Sequence, residues 1–246
     1  MNGTAASTLE ASRASTEQES AKAGTRKYYN INYHNMQDSA ESIKVKFISW
    51  LLRGGLSFSA ATDAIGTEVL FSRNKRKADL LLISRSLHAF EIKSDRDTIK
   101  KFYAQLPDYL HTFPRFSVIT TLKYFKQVKR LAPESTGLIL FESGVFHVKR
   151  KAATKTKPRK DNLLMFLSKT DLIREFKTKG ARALSTQALR NRIAENEPAS
   201  KIYPAALKLL RERYRNLFKL FMRDTAGIIL RDDLRGLTGK IEKITS

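Results

Sequence analysis

Apolar residues along the chain fall into short clusters whose spacing shifts from helical to alternating and back. Between residues 38 and 52, Ile43, Val45, Phe47, Ile48, Leu51 and Leu52 recur at imperfect helical spacing, which predicts a helix. Asp38 or Ser39 can cap it, and Gly54 and Gly55 end it. From Leu56 to Gly66 neither period holds. Residues 68–72 read as a strand. The runs LLLI (80–83) and HAFEI (88–92), split by Ser84, Arg85 and Ser86, read as a β-hairpin. Helical spacing returns over 97–111, with Asp97 as the N-cap candidate. A β-branched strand follows over 116–121, then a helix over 122–131 carrying Lys123, Lys126, Lys129 and Arg130. Residues 136–141 and 145–148 flank Ser143–Gly144 as a second hairpin.

The last third reads as helical. Segments 169–179 and 185–196 are separated at Gly180, with Ser185 able to cap the second, and faintly resemble a helix-turn-helix pair. Over 204–223, Leu207, Leu210, Tyr214, Leu217, Phe218 and Phe221 form an apolar stripe opposite Lys208, Arg211, Arg213, Arg215 and Lys219. Residues 227–246 read as a short closing segment. Strands interleaved with helices imply an α/β fold, and the two hairpins exclude a purely parallel sheet. Residues 1–25 lack aromatic and branched apolar side chains and read as a disordered tail. A domain over 26–148, a basic linker or loop over 149–160 and a helical C-terminal region over 161–246 complete the predicted organisation.

The first hairpin carries the candidate chemistry. A turn centred on Arg85 brings Asp79 opposite Glu91 to within about one residue of register, and alternation along a strand puts Glu91 and Lys93 on one face. Two converging carboxylates repel, and a hard divalent cation relieves the repulsion. Such a cation lowers the pKa of its bound water and stabilises charge on a phosphate, while a neighbouring amine orients the nucleophile or balances the growing charge. The spacing Asp-x(11)-Glu-x-Lys is degenerate by itself, and it fits a surface hairpin with an ion pair near its tip equally well. One helical turn apart beyond the hairpin lie Gln105 and Tyr109.

Asp79, Glu91-Ile92-Lys93 and Gln105-x-x-x-Tyr109 occur in an order that resembles the PD-(D/E)xK nuclease superfamily, particularly its RecB-like branch. Ala78 stands where that pattern has proline. Residues 50–132 also resemble a bacterial and phage family of nuclease-like proteins, in which an acid matches Glu68 and an EIKSxxDT-like string matches Glu91 to Thr98. The resemblance implies a restriction-endonuclease-like core, a mixed central sheet flanked by helices. It implies that Asp79 and Glu91 hold Mg²⁺ or Mn²⁺, that Lys93 serves catalysis, and that Gln105 and Tyr109 support the site. Glu68 is either a third acid there or a salt-bridge partner.

Charge adds the substrate class. Lys and Arg outnumber Asp and Glu by 46 to 24, a net charge of +22, which favours a polyanionic partner, with nucleic acid ahead of a membrane surface. Arg73, Lys75, Arg76 and Lys77 form a basic turn running into Asp79, either a solvated turn or a guide for phosphate. Lys149, Arg150, Lys151, Lys155, Lys157, Arg159 and Lys160 lie in a stretch without an acid and have strong phosphate affinity as a group. The chain has no cysteine, which excludes disulfides and thiolate metal sites and fits a cytoplasmic location. His34, His88, His111 and His147 are scattered singly and read as packed or surface residues. No P-loop or dinucleotide fingerprint occurs. The sequence-level expectation is a divalent-metal-dependent deoxyribonuclease. Its rivals are a catalytically silent nucleic-acid-binding protein of the same fold and a protein-interaction or anti-defence factor.

Overall fold

The computed structural model describes residues 39–72, 76–154, 158–225 and 227–239. The N-terminal tail, the tyrosines at 28, 29 and 33, and His34, Arg73, Lys75, Lys155 and Lys157 lie outside the described residues. A six-stranded mixed sheet runs β1 (Ala64–Phe71), β2 (Arg76–Ile83), β3 (Leu87–Lys93), β4 (Arg115–Thr120), β5 (Gly137–Glu142) and β6 (Val145–Arg150), in sequential order across the sheet. The β1–β2, β2–β3 and β5–β6 pairs are antiparallel, and β3–β4 and β4–β5 are parallel. The parallel steps cross over through α2 (Ile99–Thr112) and α3 (Leu122–Leu131). Ahead of the sheet lies α1 (Ala40–Leu52). After it come α4 (Lys160–Leu164), α5 (Lys169–Phe176), α6 (Thr186–Asn196) and α7 (Ala199–Asp224).

Local rules account for most boundaries. The Ser39 hydroxyl accepts from the Ser42 amide to start α1, and Gly54 at φ 90 takes the left-handed conformation that closes it. Ser185 caps α6 by accepting from the Ala188 amide. Asp97 does not cap α2. Its carboxylate instead accepts from the Ser94 amide and hydroxyl, and Thr98 takes the capping position. The last long helix begins five residues before Pro204, because burial of Ile202, Ala205, Ala206 and Leu209 outweighs the one backbone hydrogen bond that the proline cannot donate. The basic stretch is not wholly a loop, since Lys149 and Arg150 end β6 and Lys160 opens α4.

One hydrophobic core joins the sheet to the C-terminal helices. Helix α7 lies against β1 and β2. Gly66 permits this, since a Cβ there would overlap the Tyr214 ring. The Thr67 hydroxyl donates to the carbonyl of Leu234 in the closing 3₁₀ turn, Asp232–Leu237. The basic face expected on α7 is turned largely to structural use. Arg211 donates to the Ser84 carbonyl, Arg215 to that of Ala61, and Arg213 to that of Phe166 and to Asp171. Among the described residues no helix is long and apolar enough to cross a membrane.

Candidate functional site: a carboxylate and lysine cluster at one end of the sheet

Strand register assembles the cluster. Leu80 pairs with Phe90, so one step further Asp79 falls opposite Glu91. An Asp79 oxygen accepts from the Ile92 amide at 2.7 Å, closing the gap between the two strands. Glu91 and Lys93 share a face as alternation demands, and Lys93 Nζ lies 2.6 Å from Glu91 Oε1. Both are buried. The other Glu91 oxygen accepts from the Tyr109 hydroxyl, which also reaches the Lys77 carbonyl at 3.1 Å. Tyr109 is fully buried and stacks on Phe116, so α2 presents its hydroxyl from a fixed position. Gln105, one turn earlier, has no hydrogen bond to the cluster. Its Oε1 is buried without a hydrogen-bond partner among the described residues.

Glu68 reaches the cluster through a backbone distortion. Thr67 pairs with Leu80 and Val69 with Ala78, which leaves Glu68 across from Asp79. Glu68 has φ 51, a left-handed conformation costly for a non-glycine residue in a strand. It meets Lys44 from α1, whose Nζ is 2.5 Å from Glu68 Oε1 and 3.8 Å from Asp79 Oδ1. Lys77 Nζ lies 3.6 Å from the other Glu68 oxygen. Lys44 is a site residue the sequence reading missed. The available signal was a lysine three and four residues before Phe47 and Ile48, on the buried stripe of α1.

Two carboxylates therefore have a close ammonium partner, and Asp79 has none within 3 Å. Burial, and next the Glu91 carboxylate, push the Asp79 carboxyl up to about 7. Burial and the same glutamate hold the Tyr109 phenol well above its ordinary range. Asp79 keeps 24% of its side chain exposed and Glu68 38%, so the cluster opens to solvent at those two residues. The oxygen donors suit a hard cation such as Mg²⁺ or Mn²⁺ rather than zinc. Among the described residues no group of three or more His, Cys, Asp or Glu side chains is preassembled around one ion position.

The predicted basic residues divide. Arg76 is tied to Asp108 at 2.9 Å and to the Ala104 carbonyl at 3.0 Å, anchoring β2 to α2. Arg150 donates to the carbonyls of Ala132, Pro133 and Thr136. Arg159 pairs with Asp161, and Lys160 donates to the Glu197 carbonyl. Lys77, Lys149 and Lys151 are exposed. Away from the carboxylates, a cleft of about 650 Å³ is lined by His88, Arg115, Ser117 and Lys151, among others. Burial and Arg115 hold the His88 pKa well below its ordinary value, and its ring bonds the Ser117 hydroxyl at 2.8 Å, the packed role expected of it.

A solved structure described as "SPO1766 protein of unknown function from Silicibacter pomeroyi" aligns with 56% of this chain and 86% of its own at 22% identity. Its TM-score of 0.32 is too low to carry a fold argument. "Protein cII" of Enterobacteria phage P4 is 31% identical over 136 residues, which are 54% of this chain and 50% of that protein. The chain thus spans about half the length of that curated relative. Neither description carries a catalytic activity. The family model described as "Bacteriophage P4 protein cII" matches residues 34–238, taking in α1, the whole sheet and the helices that close it, and the chain belongs to that family.

Proposed function

We propose that this protein is a divalent-metal-dependent nuclease that hydrolyses phosphodiester bonds in DNA. The observation that carries the reading is the convergence of Glu68, Asp79 and Glu91 with Lys44 and Lys93 at one open sheet end. Both strands of the Asp and Glu-x-Lys hairpin and the tyrosine of the Gln-x-x-x-Tyr helix meet there. That order and convergence support the reading of a restriction-endonuclease-like core. Asp79 and Glu91 would hold Mg²⁺ or Mn²⁺, with Glu68 beside them. When bound, the cation supplies an acidified water and charge stabilisation at phosphate.

The chain's own residues do the rest. Tyr109 fixes the rotamer of Glu91 by donating to one of its oxygens. Lys93, held against the other oxygen, would meet a phosphate oxygen or orient a water. Lys44 offsets the charge of Glu68 and keeps three carboxylates from repelling one another apart. The net charge of +22 supplies long-range attraction for the substrate.

A second reading has its own support. Lys93 and Lys44 pair with Glu91 and Glu68, and such internal ion pairs also suit a silent, DNA-binding version of this fold. Incubating the purified protein with circular, linear and single-stranded DNA in Mg²⁺, Mn²⁺ or EDTA separates the two. The nuclease reading expects metal-dependent cutting that is lost in Glu91→Ala and Lys93→Ala while DNA binding persists. A single preorganised group of this kind is typically worth about 10²–10³ in rate. Binding without cutting in every metal favours the silent reading. Cutting that survives in both folded variants places the activity elsewhere.

A further inference from the structure

We propose that the exposed face of α3, continued by Lys149 and Lys151 at the end of β6, is the track along which a nucleic-acid strand runs toward the carboxylate cluster. That the track leads to a cutting site rests on the function proposed above; that it binds nucleic acid does not.

Helix α3 is laid on the sheet with one fully buried residue, Val128. Lys123, Lys126, Lys129 and Arg130 are exposed, and residues 122–133 contain no acid. Lys123 and Lys126, Lys126 and Lys129, and Lys126 and Arg130 are three or four residues apart, where like charges destabilise a helix. No acid on the helix offsets that repulsion. Lys123 Nζ is taken up by the Asp95 carbonyl at 2.5 Å. Lys126, Lys129 and Arg130 make no hydrogen bond or ion pair with another described residue. A surface built this way is complementary to a row of phosphates.

Its two ends are fastened to the right places. At the N-terminal end the Thr120 hydroxyl donates to the Lys93 carbonyl at 3.1 Å. The Thr121 hydroxyl donates to Asp95, and the Tyr124 hydroxyl to the Asp97 carbonyl at 2.5 Å. The start of the helix is therefore held against the loop that directly follows Lys93. At the other end Arg150 donates to the carbonyls of Ala132 and Pro133, which joins the end of α3 to the exposed Lys149 and Lys151. Ten residues of helix span about 15 Å. At about 3.4 Å per phosphate along each strand of a duplex, that length faces roughly four phosphates.

The test measures anisotropy of a fluorescein-labelled 30-base-pair DNA and its single strand, in EDTA, across a series of KCl concentrations. The variant is Lys126→Ser/Lys129→Ser/Arg130→Ser. A control of equal charge, Lys177→Ser/Lys179→Ser/Arg182→Ser, removes exposed bases from the α5–α6 connection. Circular dichroism establishes folding, and a Lys126→Arg/Lys129→Arg variant keeps the charge. The expected result is a log–log salt slope flatter by about 2.7 on duplex for the α3 variant, at about 0.9 per phosphate contact. The control should lose less than one, and the arginine variant should match wild type. An unchanged slope in the folded α3 variant, or an equal loss in the control, overturns the proposal. So does competition by poly-glutamate as strong as by unlabelled DNA, which would make the partner an acidic protein. Because binding is read without metal, the two readings fail separately. A wild type that never cuts but whose binding depends on α3 keeps the track and loses the nuclease. One that cuts and binds without α3 does the reverse.

Discussion

Replacing Asp79 with asparagine should stabilise this protein at alkaline pH. The carboxyl of Asp79 is displaced from 3.8 to about 7, first by burial and then by the neighbouring Glu91 carboxylate. Below pH 3.8 the folded and unfolded states both hold the proton. Between 3.8 and 7 the folded state holds it and the unfolded state does not, so stability falls as pH rises. Above 7 both are ionised and the full penalty stands. At 1.36 kcal/mol per tenfold, the displacement corresponds to about 4 kcal/mol. The carboxyl is 24% exposed, and solvent screening trims the penalty to roughly 2–4 kcal/mol. Asparagine cannot ionise, yet its side-chain oxygen can still accept from the Ile92 amide. Urea unfolding followed by the single tryptophan, Trp50, packed against Phe47 and Phe146, reports the core. The expected outcome is a variant about 2 kcal/mol or more stabler than wild type at pH 8, with the two curves converging near pH 4. Parallel pH profiles, or a variant no stabler than wild type at pH 8, would refute the electrostatic account. Millimolar Mg²⁺ at pH 8 should raise the wild-type midpoint and leave the asparagine variant's unmoved, because a cation that binds only the folded state adds RT ln(1 + [L]/Kd).

Tyr109→Phe removes the hydroxyl that bridges Glu91 and the Lys77 carbonyl, leaving a buried carboxylate short of a donor; denaturant unfolding should show a loss of about 1–3 kcal/mol. Lys44→Met removes the ammonium from between Glu68 and Asp79, and calorimetric titration should show tighter Mn²⁺ binding than wild type, at a cost in stability in metal-free buffer. Gly66→Ala drives a methyl into the Tyr214 ring and should cost about 1–3 kcal/mol by urea unfolding, without altering DNA affinity in EDTA. Lys149→Ser/Lys151→Ser should flatten the salt slope on duplex DNA by about 1.8, whereas Arg150→Ser should lower stability as well, since Arg150 secures three carbonyls.

The alternation and turn signals around Ser84–Ser86 and Ser143–Gly144 determined both hairpins, and with them the mixed character of the sheet. Period-two geometry is local, so Lys93 on the face of Glu91, and Asp79 within about one residue of Glu91, could be read without any tertiary knowledge, while the exact register came from the folded strands. The pair Gln105 and Tyr109 was readable for the same reason, one helical turn apart, although only Tyr109 bonds into the cluster. Tertiary structure alone decided what lies across from those residues. Lys44 reaches Glu68 because α1 packs over the strands 24 residues later in the chain. The left-handed turn of the backbone at Glu68 has no sequence signature. Charge was the least legible property. The same arginines that raise the net charge to +22 serve in part as internal clamps, as at Arg76, Arg150, Arg211 and Arg213. A guanidinium satisfies buried carbonyls and phosphates equally well, and which one it meets depends on the chain folded around it.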